Sequence, residues 1–174
     1  MKVDRRAELA KLTKEQLLDY IDISSKNLWT LQNNYMWNLG KRFGDEVAVE
    51  FDDLCFGRMM QVEARRLQKF LNLGNDLLAL AKCWTISLAQ ELGLESEWVE
   101  LTPKRIYWRC TRCPMQLRRL KDGASLLPCK EVCEMSYPKL GRAINPKIKM
   151  TKLYAPPDPH TEDDWCGVVW EMED

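Results

Sequence analysis

The sequence predicts an α+β protein, with a helical N-terminal half packed on a small, mostly antiparallel sheet that carries two short helices. Two observations lead to that class. Up to Gly93 apolar residues recur at three- and four-residue spacing, the period of a helix face. Beyond Gly93 the pattern shortens to alternation, in segments bounded by proline and glycine. No repeat or low-complexity linker separates the two regimes. Both are therefore read as one domain over 1–174, with a helical layer at 1–93 and a cysteine-bearing α+β half at 94–174. A chain of 174 residues can bury roughly 70% of its unfolded surface, so its core needs no staples.

Taken in order, the first helix opens at Thr13, which forms a capping box with Gln16 three residues on. Its apolar stripe is Leu17, Ile21, Leu28, Leu31 and Tyr35, and Gly40 and Gly44 close it. Asp45 is placed to cap a second helix, with Val47, Phe51, Leu54, Cys55, Met59, Val62, Leu67, Phe70 and Leu71 on its apolar side. Arg58, Glu63, Arg65 and Arg66 fall on its polar side. Gly74 stops that helix, and Asn75 or Asp76 caps a third that runs to Leu92. Trp98–Leu101 and Ile106–Trp108, either side of Pro103, read as strands, as do Ile148–Tyr154 and Trp165–Met172. In the last of these Cys166, Val168, Trp170 and Met172 share a face. Helical segments at 114–122 and 130–143 lie between the strand pairs, the second kinked or split at Pro138.

Charge narrows the function classes. Lys+Arg and Asp+Glu each number 26, so the chain lacks the basic excess of a general nucleic-acid binder. No stretch is long and apolar enough to span a membrane. Met1 to Arg6 is followed by no apolar signal core, and the expected location is the cytoplasm. There is no glycine-rich phosphate loop, no G-x-S-x-G elbow and no H-E-x-x-H helix.

The seven cysteines are the loudest signal, because an odd count in a reducing compartment favours metal ligation or thiol chemistry over disulfides. Five of them, Cys110, Cys113, Cys129, Cys133 and Cys166, fall in the second half. Cys110 and Cys113 form a C-x-x-C pair, a spacing that turns two thiolates toward one metal. Cys129 and Cys133 share a face if their segment is helical. The single histidine, His160, sits in the stiff Pro156-Pro157-Asp158-Pro159 loop, six residues before Cys166. Cys113 precedes Pro114 and so suits an N-cap, and Cys129 also opens a helix; both positions favour a thiolate. Metal or cluster ligation ranks first, a catalytic or redox thiol second, and plain buried thiols third. Cys55 and Cys83 belong to that third class, on helical apolar faces.

A basic run from Lys104 to Lys121, including Arg118 and Arg119, meets no acid before Asp122. It is either a solvated face or an anion site. Glu63 and Arg66 are either a surface pair or a buried polar site facing the sheet. The seven tryptophans, Trp29 and Trp37 among them on one helix, read as packing between the halves and less often as pocket walls.

A resemblance adds to this. Lys26-Asn27, Arg42-Phe43-Gly44, Glu63-Ala64-Arg65-Arg66, Cys113-Pro114-Met115-Gln116 with Arg118-Arg119, and Pro128-Cys129-Lys130 recur in that order with Asn145-Pro146-Lys147-Ile148-Lys149, Pro156-Pro157-Asp158-Pro159-His160 and Trp165-Cys166. Together the blocks resemble an uncharacterised family of small prokaryotic "cytosolic proteins". At the level of fold the layout is similar to 2-amino-thiazoline-4-carboxylate hydrolases and to 4-vinyl-reductase-type ligand-binding domains. The resemblance implies a ligand set of Cys113, Cys129, His160 and Cys166, with Cys110 and Cys133 as substitutes. It also implies two departures here. Leu31-Gln32-Asn33 replaces a His-Asp-Gly, and Ala155 replaces a cysteine before the proline pair.

The resulting expectation is a cytoplasmic metal-binding protein, with zinc ahead of an iron–sulfur cluster. The alternatives are a hydrolase or reductase of a small anionic molecule, with Cys113 or Cys129 as nucleophile and Arg118, Arg119, Arg66 and Glu63 as anion- or ligand-binding residues, and a small-ligand regulatory module. A small-molecule partner and a homo-oligomer are compatible with the sequence; nucleic acid and membrane are not expected. Whether the chain is an enzyme stays open at this point.

Overall fold

The computed structural model describes residues 4–90 and 94–173. It is α+β, with helices packed on one face of a four-stranded antiparallel sheet. The short helix α1 (Arg5–Leu9) precedes α2 (Lys14–Phe43), which opens with the expected capping box between Thr13 and Gln16. Gly44, in a positive-φ conformation open to glycine, ends α2 and leads directly into α3 (Asp45–Asp52). A π-helical turn, Asp53–Gly57, joins α3 to α4 (Arg58–Phe70). The helix ends at Leu71 and Asn72, which takes a positive φ, two residues before the expected stop at Gly74. Asp76 then caps α5 (Leu77–Ile86) by accepting from the Ala79 amide.

α5 is shorter than the expected run to Leu92. The carboxylate of Glu63 accepts from the Leu88 amide at 2.9 Å and from the Ser87 hydroxyl, and Ser25 donates to the Leu88 carbonyl. These bonds hold residues 87–90 as a turn. Gly93, expected as the break between the halves, lies outside the described residues.

The strands are β1 (Glu95–Leu101), β2 (Arg105–Arg112), β3 (Ile148–Tyr154) and β4 (Cys166–Met172), in the order β1-β2-β4-β3. Between them lie α6 (Pro114–Lys121) and α7 (Cys129–Ile144). Pro138 does not split α7; the helix is continuous from Cys129 to Ile144 with the proline inside it. The alternation expected in β4 holds: Cys166, Val168, Trp170 and Met172 all join the core under the helices. On the outer face Arg105 pairs with Glu171 and Glu100, and Arg109 with Glu97. Much of the basic run is thereby neutralised across the strands.

Two apolar stripes differ from expectation. On α2 the inward residues are Ser25, Gln32 and Met36, while Leu17, Ile21 and Leu31 face solvent. On α3 to α4 the buried set is Ala48, Val49, Asp52, Asp53, Phe56, Met60 and Ala64, one residue displaced from the expected face. Phe51, Leu54, Cys55 and Phe70 are exposed instead. The cause is a set of polar partners. Asp52 receives bonds from Gln32 and Tyr35, and Asp53 from Ser136 and Lys139, so both carboxylates are held inside. Gly57 makes room for this join, because a Cβ there would collide with the Ser136 hydroxyl.

The main core unites α4, α5, α7 and the sheet around Trp84, whose ring lies 5.1 Å from Trp108, 5.1 Å from Tyr137 and 5.3 Å from Trp170. These edge-on contacts join the helical half to the sheet, as expected of the tryptophans. A smaller core of Met36, Ala48, Val49 and Leu127 lies between α2, α3, α6 and α7.

Candidate functional site

All five second-half cysteines line one cavity of about 130 Å³, whose walls draw on both cores. Cys110 comes from β2 and Cys166 from β4, where the two are direct cross-strand partners. Cys113 is the N-cap of α6, with Pro114 at the first helical position as the sequence suggests. Cys129 opens α7 and Cys133 lies one turn on, on the buried side of the helix. Trp29, Trp84, Trp108, Phe56 and Met60 close the cavity with apolar surface.

The thiols interact with one another. Cys110 hydrogen bonds to both Cys113 and Cys166, and Tyr137 to Cys133. The bond with Cys113 draws the Cys110 thiol down, but the bond with Cys166 and burial outweigh it and push it up to about 12. Burial, with the Cys113 charge, likewise pushes Cys129 up to about 12. Burial also raises Cys133. The helix-start positions do not yield a ready thiolate at Cys129, because desolvation exceeds the dipole effect. Cys110, Cys129 and Cys133 thus favour the protonated form at neutral pH.

Two polar groups reach this apolar chamber. Gln116, 1% exposed on α6, donates from Nε2 to the Leu127 carbonyl at 2.9 Å and to the Cys129 sulfur at 3.1 Å. Its Oε1 accepts from the Leu127 amide at 3.0 Å. Gln116 thereby fixes the segment that presents Cys129. On the facing wall Asp52 accepts from Gln32 Nε2 at 2.9 Å and from the Tyr35 hydroxyl. Burial raises the Asp52 carboxyl despite those donors. The Nε1 atoms of Trp29 and Trp84 and the Oε1 of Gln32 are buried at these walls without a partner among the described residues.

His160 is not among the residues that line the cavity. Its ring stacks on Trp165 at 4.8 Å, its Nδ1 bonds the Asp158 carbonyl at 3.1 Å, and it faces a separate surface groove. The loop bearing it is tied to α7 all the same. The Lys130 amide donates to the Pro156 carbonyl at 3.0 Å, and its ammonium pairs with Asp158 at 2.9 Å. Cys113, Cys129 and Cys166 thus meet Cys110 and Cys133 around the cavity, and His160 does not. Among the described residues no three His, Cys, Asp or Glu side chains are gathered tightly enough to ligate a single ion.

The other sequence candidates scatter. Glu63 holds the turn after α5, and Arg66 is exposed on α4. Arg118, paired with Asp122 at 2.6 Å, and Arg119 line a recess beside the cavity. Cys83 is buried and donates to the Ala64 carbonyl, whereas Cys55 is exposed. Trp29 packs on Phe56, but Trp37 is exposed under Lys41, because eight residues turn a helix well past two full turns.

A family model described as a family of unknown function, DUF6125, matches residues 10–173. The chain belongs to this family. No curated protein and no solved structure matches it. Family membership therefore brings no assigned chemistry to the cavity. Among the described residues no helix is long and apolar enough to cross a membrane.

Sequence reading missed Gln32, Tyr35, Asp52, Gln116 and Tyr137. Gln116 stood within a quoted motif block, and its neighbour Cys113 was the available signal. Asp52 had none, because a carboxylate on a helix reads as an outward residue until its partners are seen.

Proposed function

We propose that the protein is a metal-binding protein whose metal is held by thiolates in this cavity, and that an iron–sulfur cluster suits it better than a single zinc ion. The convergence of five cysteines from β2, α6, α7 and β4 on one cavity carries the reading. A single tetrahedral zinc with bonds near 2.3 Å needs sulfurs about 3.8 Å apart. Here the five thiols are spread along the cavity wall, and among the described residues no three are grouped to hold a single ion. A cluster is held by four cysteines spread around a larger body. Cys113, Cys129 and Cys166 are the first three ligands in this reading, and Cys110 or Cys133 supplies the fourth in place of His160.

The rest of the wall supports the same reading. Gln116 offers an N–H to the Cys129 sulfur, the kind of bond that holds and tunes a ligating thiolate. The Arg119 charge favours the Cys129 thiolate. The raised Cys129 thiol argues against Cys129 as a nucleophile, which needs a thiolate near neutral pH without a metal.

The test is elemental analysis with a visible spectrum on anaerobically purified, untagged protein. Iron with acid-labile sulfide and a brown absorbance is expected, and both should be lost in Cys113→Ser and Cys129→Ser variants. One colourless zinc per chain would overturn the cluster and keep the thiolate site. Absence of any metal would overturn both.

A further inference from the structure

Beside the thiol cavity lies a second hollow, a recess of about 390 Å³ between α2 and α6. Its size falls in the range of small-molecule pockets. Gln32, Met115 and Leu127 line both spaces, so the recess and the chamber are separated by one layer of side chains. Its walls divide by chemistry. Met36, Trp37, Met115 and Leu127 give an apolar side, and Asn33, Asn34, Arg118, Arg119 and Asp122 give a polar one.

The two arginines are not equivalent. Arg118 is neutralised by Asp122 at 2.6 Å. Arg119 donates through Nε to the Ser125 carbonyl at 2.7 Å and pairs with no carboxylate among the described residues. A guanidinium anchored by Nε keeps its two terminal nitrogens for a planar oxyanion. Its field also reaches inward, where it acts on the Cys129 sulfur. At the shared wall Gln32 is 3% exposed and its Oε1 has no partner among the described residues.

We infer that this recess is a binding site for a small carboxylate with an apolar or aromatic body, its carboxylate on Arg119 and its body between Trp37 and Met115, beside the thiol chamber. The inference stands on the recess itself and does not require metal in the chamber. It assigns Arg119, and not Arg118 or Arg66, as the anion-binding cation.

The experiment is isothermal titration of the purified full chain with benzoate, and with neutral benzamide as its uncharged isostere. Saturable benzoate binding is expected, clearly tighter than that of benzamide. Arg119→Gln should weaken it tenfold or more, the loss of a charged hydrogen-bonding partner. Arg66→Gln, which removes an equal charge from α4, should leave it unchanged. No saturable binding at millimolar benzoate, equal affinity for benzamide, or an Arg119→Gln protein that binds like wild type would each overturn the inference. Metal content measured on the same samples reports separately on the thiol chamber, so failure of one assignment is not mistaken for failure of the other.

Discussion

Gln116 makes three hydrogen bonds from a fully buried position, two to the Leu127 backbone and one to the Cys129 sulfur. A Gln116→Leu variant keeps the volume but strands a buried amide and carbonyl. It should therefore cost about 2–4 kcal/mol in urea unfolding of the metal-free protein. The thiols themselves set a pH dependence. Cys110 and Cys129 ordinarily titrate at 9.0 and are pushed up to about 12 in the fold. Between those values the unfolded chain releases protons that the folded chain retains. Stability is thus fully present below about pH 9 and falls as pH rises toward 12. Urea midpoints of metal-free protein should decline over that window, and Cys110→Ala with Cys129→Ala should flatten the decline. A midpoint that rises with pH would contradict the buried, protonated thiols.

At the scale of elements, the π-helical turn between α3 and α4 is the feature that most changes what faces inward. Its first residue, Asp53, is bonded to Ser136 and Lys139 of α7. Gly57 is the small residue that allows their approach, and Gly57→Ala should destabilise by about 1–3 kcal/mol. Thermal unfolding of the double variant with Ser136→Ala checks the cause, since removing the hydroxyl should return part of that loss. This region also shows what was legible in advance. The caps at Thr13, Asp76 and Cys113 could be read because capping depends on residues within one turn. The strand limits of β3 and β4 could be read because alternation is local as well. The inward face of α3 and α4 could not, because Asp52 and Asp53 are stabilised by partners on α2 and α7 that are distant in sequence. The thiol set was legible for the same kind of reason that His160 was not. Cysteine spacing places thiols on known turns, whereas the histidine's side of its loop depends on Trp165.

For the whole molecule, the burden of the fold falls on the Trp84 cluster and not on the exposed stripe of α2. Trp84→Ala should cost about 3–5 kcal/mol. Leu31→Glu, at a residue 64% exposed, should change the stability of a monomer by no more than about 0.5 kcal/mol. Calorimetric melts of the two variants compare them directly; a large loss for Leu31→Glu would mean that the stripe is covered by another chain in solution. The order of the sheet has a further consequence for how the protein matures. β4 follows every other element in the chain yet lies between β2 and β3, and it brings Cys166 opposite Cys110. During synthesis β3 has no strand to pair with until β4 arrives. Any group bound through both of these sulfurs can therefore be acquired only after translation has passed β4 and the sheet has closed around it.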